Sequence, residues 1–472
     1  MSDKHRQIKR KDILMEFCKR ENVHISNIQA IFIPAVLLIS MLVIVDIEVV
    51  GTRLDIILFF ALAFIYICFE MVSIRKGHPF PLRLQYPEDV TVLALLVWSL
   101  LGIIGKLFQS WELGVPNHQF QVMCITVSFL YLLFKEVNDF RDRYFDLILY
   151  SALIVMGYML FCYLCNMQMN GILTDIMDDS GRAASYLLLP CVIGVYRYCV
   201  CRDRVRSVFY LLIAIVAFFT LLLNYNIISL WIMAAAFFLI PVVMRPTAEL
   251  VKRDMQLCFV FFFMMSNMSL LTNYTQLIQK EMSLSLEHSV YIDLLIAVGG
   301  VLFFSYWDKI PEEIDKDRLI LRKMRRGYIL VLKLMGIVFL SFAAGGGRWK
   351  SLPDTMGTTI VKSFAVPLID EINNSNNIWI SCMENSSISA LIILIFAGLL
   401  IRRIIRNHSF AKPLTGGFQI VTIAVFIESF FFVPYINVLP VYLLIIVMAA
   451  FYREDKQRGV VSKINLKEII EK

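Results

Sequence analysis

A chain of 472 residues that is 58% hydrophobic, with a mean hydropathy of +0.70, is too apolar for a water-soluble domain, which keeps about 45–50% apolar residues. The formal net charge of +7 does not indicate a nucleic-acid partner, because no soluble basic domain exists to carry it. What remains is a polytopic membrane protein.

Residues 1–27 are basic and polar, with Lys4, Arg6, Lys9, Arg10, Lys11, Lys19 and Arg20. The apolar run that follows is long enough to span, so it is expected to be an uncleaved anchor and not a removable signal. The segment from Gln7 to Arg20 suits a short amphipathic helix on the inner leaflet equally well as a disordered tail.

Further along, apolar runs long enough for a bilayer core of roughly 30 Å, at about 20 residues each, start near Asn27, Leu54, Val90, Gln119, Phe145, Ala184 and Ser207. More start near Ile227, Gln256, Val290, Tyr328, Ile378, Leu414 and Ile436. The expected fold is therefore an all-α transmembrane bundle of about fourteen spans (twelve to fourteen), covering residues 28–452.

Cytoplasmic loops collect positive charge, and this tests the map. With the N-terminus inside, 37 of the 45 Lys and Arg fall in residues 1–27, the alternate loops and the tail 453–472. The exceptions are Arg53, Arg182, Lys280, Arg348, Lys350 and Lys362 in outer loops, and Lys106 and Lys333 within spans. Both termini are thus expected in the cytoplasm, where the basic loops meet anionic lipid.

Charges inside spans are costly, by about 2.5–3.5 kcal/mol at the centre on insertion scales, and tend to face a cavity or a partner. Glu70 and Lys333 lie near inner ends and can reach headgroups, whereas Glu428 lies deep among Phe426, Ile427 and Phe430 and either lines a cavity or bonds a neighbouring helix. The ten cysteines are scattered through spans or their inner ends; Cys162 and Cys165 have no second pair or histidine nearby, so no metal site is expected.

One long polar loop, 345–377, faces outward on this map. Gly345, Gly346 and Gly347 break the preceding span, and Arg348, Trp349 and Lys350 follow where the chain leaves the lipid. Asp354, Lys362, Asp370 and Glu371 lead to Asn373, Asn374, Asn376 and Asn377, before the apolar run at Ile378.

A long outer loop opening on Gly-Arg-Trp, an Asn-rich segment entering an apolar helix with a glutamate, and two further spans with an acidic residue resemble the O-antigen ligase and polysaccharide polymerase superfamily over residues 340–452. That family's loop commonly ends in His-Asn followed by Glu-x-Gly-x-x-Gly. Here Asn376 and Glu384 match, Ser386 and Ser389 replace the glycines, and Ser375 stands at the histidine position. Upstream, Asp178 to Ala183 is similar to the family's short outer loop, with Arg182 in it.

The resemblance implies a bacterial plasma-membrane protein of the cell envelope, acting in O-antigen, capsule or exopolysaccharide biosynthesis as a metal-independent glycosyltransferase, polymerase or ligase, with no cofactor. The donor would be a glycan on a polyprenyl diphosphate, the acceptor a hydroxyl of a glycan or lipid on the outer face. Membrane lipids and other polysaccharide assembly proteins are the implied partners. Arginine stabilises charge developing on a leaving diphosphate through its planar fork of donors. Arg348, Glu384 and Asp370 are accordingly the catalytic candidates, and Arg182, Lys350, Trp349, Asn376 and Glu428 the substrate-binding ones. For the base, Asp370 and Glu384 rank first by position, with His118 and His288 as the outer histidines. Two alternatives stay open: a lipid-linked oligosaccharide flippase, and a non-catalytic partner of the assembly machinery.

Overall fold

The computed structural model describes residues 32–42, 48–49, 52–53, 68, 86–107, 118–135, 142–165, 180–224, 226–244, 247–275, 286–308, 320–345, 387–408, 413–431 and 438–452. These form thirteen helices: α1 (Phe32–Leu42), α2 (Pro87–Leu107), α3 (His118–Phe134), α4 (Asp142–Cys165), α5 (Ser180–Val200), α6 (Arg204–Asn224), α7 (Ile227–Val243), α8 (Ala248–Thr275), α9 (Leu286–Asp308), α10 (Ile320–Gly345), α11 (Ser387–Asn407), α12 (Pro413–Glu428) and α13 (Leu439–Phe451). A two-residue antiparallel pairing, β1 (Glu48–Val49) with β2 (Thr52–Arg53), is the one strand pair among the described residues. The segment Gln7 to Arg20, the expected span from Leu54 with Glu70, and the tail 453–472 lie outside the described residues.

Four of these helices contain stretches long and apolar enough to cross a membrane: Arg143–Cys162, Gly181–Val200, Arg204–Asn224 and Ile388–Asn407. The outer helices present surfaces that fit lipid. On α9 the exposed side chains Leu294, Leu295, Val298, Val301 and Leu302 recur at helical spacing, and α10 and α11 carry similar stripes. A stripe of that size facing water would drive aggregation, whereas against acyl chains it costs nothing. The chain is a helical membrane protein.

The centre of the bundle is α5, which packs against α4, α6, α7, α8 and α12; 89% of its span is enclosed, against 28% for that of α11. With lipid as apolar as leucine, close packing must hold the helices together, and small residues permit it. A Cβ on Gly194 of α5 would lie 3.6 Å from Ala214 of α6. A second group, α2, α3, α11 and α13, joins the first through α12 against α13. At the turn between α6 and α7, Asn226 caps α7 by accepting from the Ser229 amide at 3.0 Å.

From α2 onward the helices run alternately up and down, and the charged contacts reveal it. Asp146, near the start of α4, pairs with Arg197, near the end of α5, at 3.0 Å, and Tyr210 of α6 donates to the same carboxylate at 2.6 Å. Asp89, in the first turn of α2, pairs with Lys135 just past α3 at 3.0 Å and accepts from Tyr131 at 2.9 Å. Glu88 pairs with Arg403 of α11 at 3.3 Å, and that guanidinium stacks 3.7 Å over Tyr86 and 4.1 Å over Phe451. Arg253 of α8 donates to the last carbonyls of α5, those of Tyr198 at 3.1 Å and of Cys201. All these contacts lie at one end, hereafter the basic end.

Several cations expected to meet lipid headgroups are therefore paired inside the protein. Arg197, inside the apolar run that starts near Ala184, is the clearest: its charge is answered by Asp146 one helix away. Lys333, by contrast, lies on the exposed stripe of α10. None of the described cysteines is in a disulfide; Cys124, Cys162, Cys191, Cys199 and Cys258 are buried, while Cys68 and Cys165 are exposed.

Asp254, near the start of α8, contrasts with the paired carboxylates. It is fully buried, and neither oxygen has a hydrogen-bond partner among the described residues. An uncompensated buried charge is a net cost to the fold. Asp254→Asn, which keeps the shape and removes the charge, is expected to raise the midpoint of thermal unfolding in detergent; a lowered midpoint would show that Asp254 has a partner in the folded protein.

Candidate functional site

The opposite end of the bundle holds a different set of groups. It is built from the start of α5, the start of α7, the end of α10, the end of α12 and the start of α13. Their shared location follows from contacts: Tyr442 of α13 donates to the Ser185 carbonyl of α5, and its oxygen lies 3.2 Å from Ser185 Oγ. Tyr186 on the next position of α5 donates to the Met41 carbonyl at the end of α1 at 2.6 Å. On α7 and α10, Trp231 and Phe339 meet edge to face at 6.3 Å, and Phe339 meets Phe431 beyond α12 at 5.5 Å.

Glu428 closes α12. It is 2% exposed, and both carboxylate oxygens lack a hydrogen-bond partner among the described residues. It lies within electrostatic reach of the Tyr442 hydroxyl. The expectation that Glu428 sits deep within a span needs correcting, because α12 ends at this residue. Three bonds to the residue three positions back tighten the last turn here: Ser429 Oγ to the Phe426 carbonyl at 2.7 Å, the Phe430 amide to the Ile427 carbonyl at 3.2 Å, and the Phe431 amide to the Glu428 carbonyl at 2.8 Å. Pro434 lies a few residues on, and a proline disfavours helix in the residue before it.

Arg182 is also placed differently from the expectation of an outer loop. Helix α5 begins at Ser180, so Arg182 belongs to its first turn, with an exposed side chain. The small residues Gly181, Ala183 and Ala184 are buried and let this turn pack closely enough to stay helical. Three positions before Ser185, Arg182 lies one turn nearer the end of the bundle on the same side of the helix. A cation at a helix start, where the dipole is positive, makes this corner favourable for anions.

Arg348, Trp349, Lys350, Asp370, Asn376 and Glu384 lie outside the described residues, as do the side chains of His118 and His288. The two anchors of their loop are described. Gly345 ends α10 on the side of Phe339 and Phe431. Ser387 starts α11, whose far end is fixed to the far end of α13 by Asn407, which donates to the carbonyls of Ala449 at 3.0 Å and Tyr452 at 3.1 Å. Helices α11 and α13 are thus parallel, and the loop leaves and returns at the end that holds Glu428, Tyr442 and Arg182.

Two features escaped the sequence reading. Tyr442 and Ser185 are a tyrosine and a serine in apolar runs, 257 positions apart, and nothing local marks them as partners. The acids Glu88, Asp89 and Asp146 were findable, since an acid at a span's start beside unmatched basic residues elsewhere signals pairing. No protein-family model matches the chain, and no curated protein or solved structure matches it either.

Proposed function

We propose that this protein is a bacterial plasma-membrane glycosyltransferase of about fourteen spans with cytoplasmic termini, which builds cell-surface polysaccharide on the outer face as a polymerase or ligase. The donor is a glycan on a polyprenyl diphosphate. One observation carries the reading most directly: both anchors of the polar loop share an end of the bundle with Arg182 and the buried, uncommitted carboxylate of Glu428. The basic end lies opposite, which is the polarity that a cytoplasmic basic face and an outer site require.

In this reading Arg348 and Arg182, with Lys350, hold the diphosphate and stabilise the charge that grows on it as the glycosidic bond breaks. Trp349 offers a flat apolar face to a sugar ring, and Asn376 hydrogen bonds to its hydroxyls. Asp370 and Glu384 complete the polar side of the loop.

The test is a strain lacking the protein, complemented with wild type, Arg348→Ala, Arg348→Lys or Glu384→Ala, with lipid-linked repeat units measured on each membrane face. Expected are loss of long surface glycan, repeat units accumulating on the outer face, and no rescue by Arg348→Ala or Glu384→Ala. Lysine at 348 should rescue poorly, because it keeps charge without the two-pronged geometry. Accumulation on the inner face would make the protein a flippase, and full rescue by both alanine variants would reduce the loop to structure.

A further inference from the structure

We infer that Glu428 is the group that accepts the proton of the acceptor hydroxyl, an assignment that rests on the glycosyl-transfer reading above. That reaction needs a proton acceptor, and at the position where the resemblance implies a histidine this chain has Ser375. Glu428 has the properties the role demands. It is an acid at the end of the bundle where the loop is anchored, 2% exposed, with neither oxygen engaged by a described residue.

The Tyr442 hydroxyl, within electrostatic reach of Glu428, is engaged elsewhere. A phenol has one hydrogen, and that of Tyr442 goes to the Ser185 carbonyl. The Ser185 hydroxyl, 3.2 Å from the Tyr442 oxygen, closes the pair on itself. Tyr442 and Ser185 are therefore positioning residues: they clamp α13 to α5 and leave the carboxylate oxygens to a substrate. At this end of the helices packed on α12, the titratable or charged side chains are Arg182 and Tyr186 on α5 and Tyr442 on α13; α7 presents only the neutral Asn226 and Ser229.

The step balances as follows. The acceptor oxygen forms a bond to the anomeric carbon of the donor. The bond from that carbon to the diphosphate oxygen breaks, with its electron pair passing to the polyprenyl diphosphate. The acceptor's proton moves to a carboxylate oxygen of Glu428 and from there to water at the outer face.

The test uses the purified full-length protein in proteoliposomes, with a polyprenyl-diphosphate-linked oligosaccharide as donor and acceptor, and follows transfer from acidic to mildly basic pH. Glu428→Gln, which keeps shape and polarity, is expected to slow transfer by about 10²–10⁴-fold. Donor binding should stay unchanged, the thermal midpoint should not fall, and the fall in rate at acidic pH expected of wild type should disappear. Tyr442→Phe should slow transfer far less and retain that fall. If Glu428→Gln does not fold, Glu428→Asp decides: a shorter carboxylate acting as base shifts the acidic fall, and an unshifted fall overturns the assignment. Transfer by Glu428→Gln within about threefold of wild type overturns the base while sparing the functional reading. Absence of transfer by wild type overturns both.

Discussion

Asp89→Ala is expected to lower the stability of the folded protein by about 3–5 kcal/mol, the cost of removing one member of a buried ion pair. The side chains of Asp89 and Lys135 are 0% and 3% exposed and 3.0 Å apart, so solvent does little to screen them. The same carboxylate accepts from the Tyr131 hydroxyl at 2.9 Å and the Tyr86 amide at 3.1 Å. Alanine takes the partner from an ammonium, a phenol and a backbone amide together. The damage should spread, because Tyr86 also stacks under Arg403, which holds α11 against α2 through Glu88. Unfolding in detergent would read the loss. The double variant Asp89→Ala with Lys135→Met should recover part of it, since no buried charge is then left behind. A loss below about 1 kcal/mol in the single variant would mean that this end of the bundle is wet and the pair screened.

Gly417→Leu is expected to be nearly as damaging, for a steric reason. A Cβ at this position of α12 would lie 2.4 Å from Tyr196 Cζ and under 3 Å from both neighbouring ring carbons. The ring cannot swing aside cheaply, because Tyr196 is 1% exposed and meets Phe145 edge on at 5.7 Å. Overpacking of this kind costs about 1–3 kcal/mol, and leucine belongs at or above the upper figure, with alanine below it. Neighbouring glycines supply the controls. At Gly416 the nearest atom is Met244 Cγ at 3.2 Å, on a flexible side chain, so Gly416→Ala should be mild. Gly398 and Gly336 meet nothing within 4 Å, and alanine there should stabilise slightly through helix propensity. If Gly417→Leu unfolds no earlier than Gly398→Ala, the close approach of α12 to α5 is wrong.

The membrane character, the helices and their approximate order were legible in the sequence. Hydropathy marks a span because lipid leaves backbone groups no partner except each other, so a long apolar run must be helical. Expected spans near Gln119, Phe145, Ser207, Ile227 and Leu414 fall within a few residues of α3, α4, α6, α7 and α12. Ends were read less well. Helix α5 starts four residues before Ala184, and α13 is first seen at Leu439 and not Ile436, because packing and turn bonds set a helix end, and hydropathy senses neither. For the candidate site, the loop and its cations could be proposed from residue order, and Glu428 from its cost in lipid.

By itself, then, the sequence determined that the chain resides in a membrane, where it turns, and which residues are too polar to be there by accident. Such properties are carried by each segment's own transfer free energy. Only the tertiary structure decided which charges are answered and which are not: Arg197 meets Asp146 and Lys135 meets Asp89, while Glu428 and Asp254 keep uncommitted oxygens among the described residues. It also decided that Tyr442 spends its one proton on Ser185 and that the polar loop is anchored at the end where Glu428 lies. The physical reason is that a hydrogen bond or ion pair depends on a few ångströms between helices far apart in the chain, a distance that no local pattern of residues encodes.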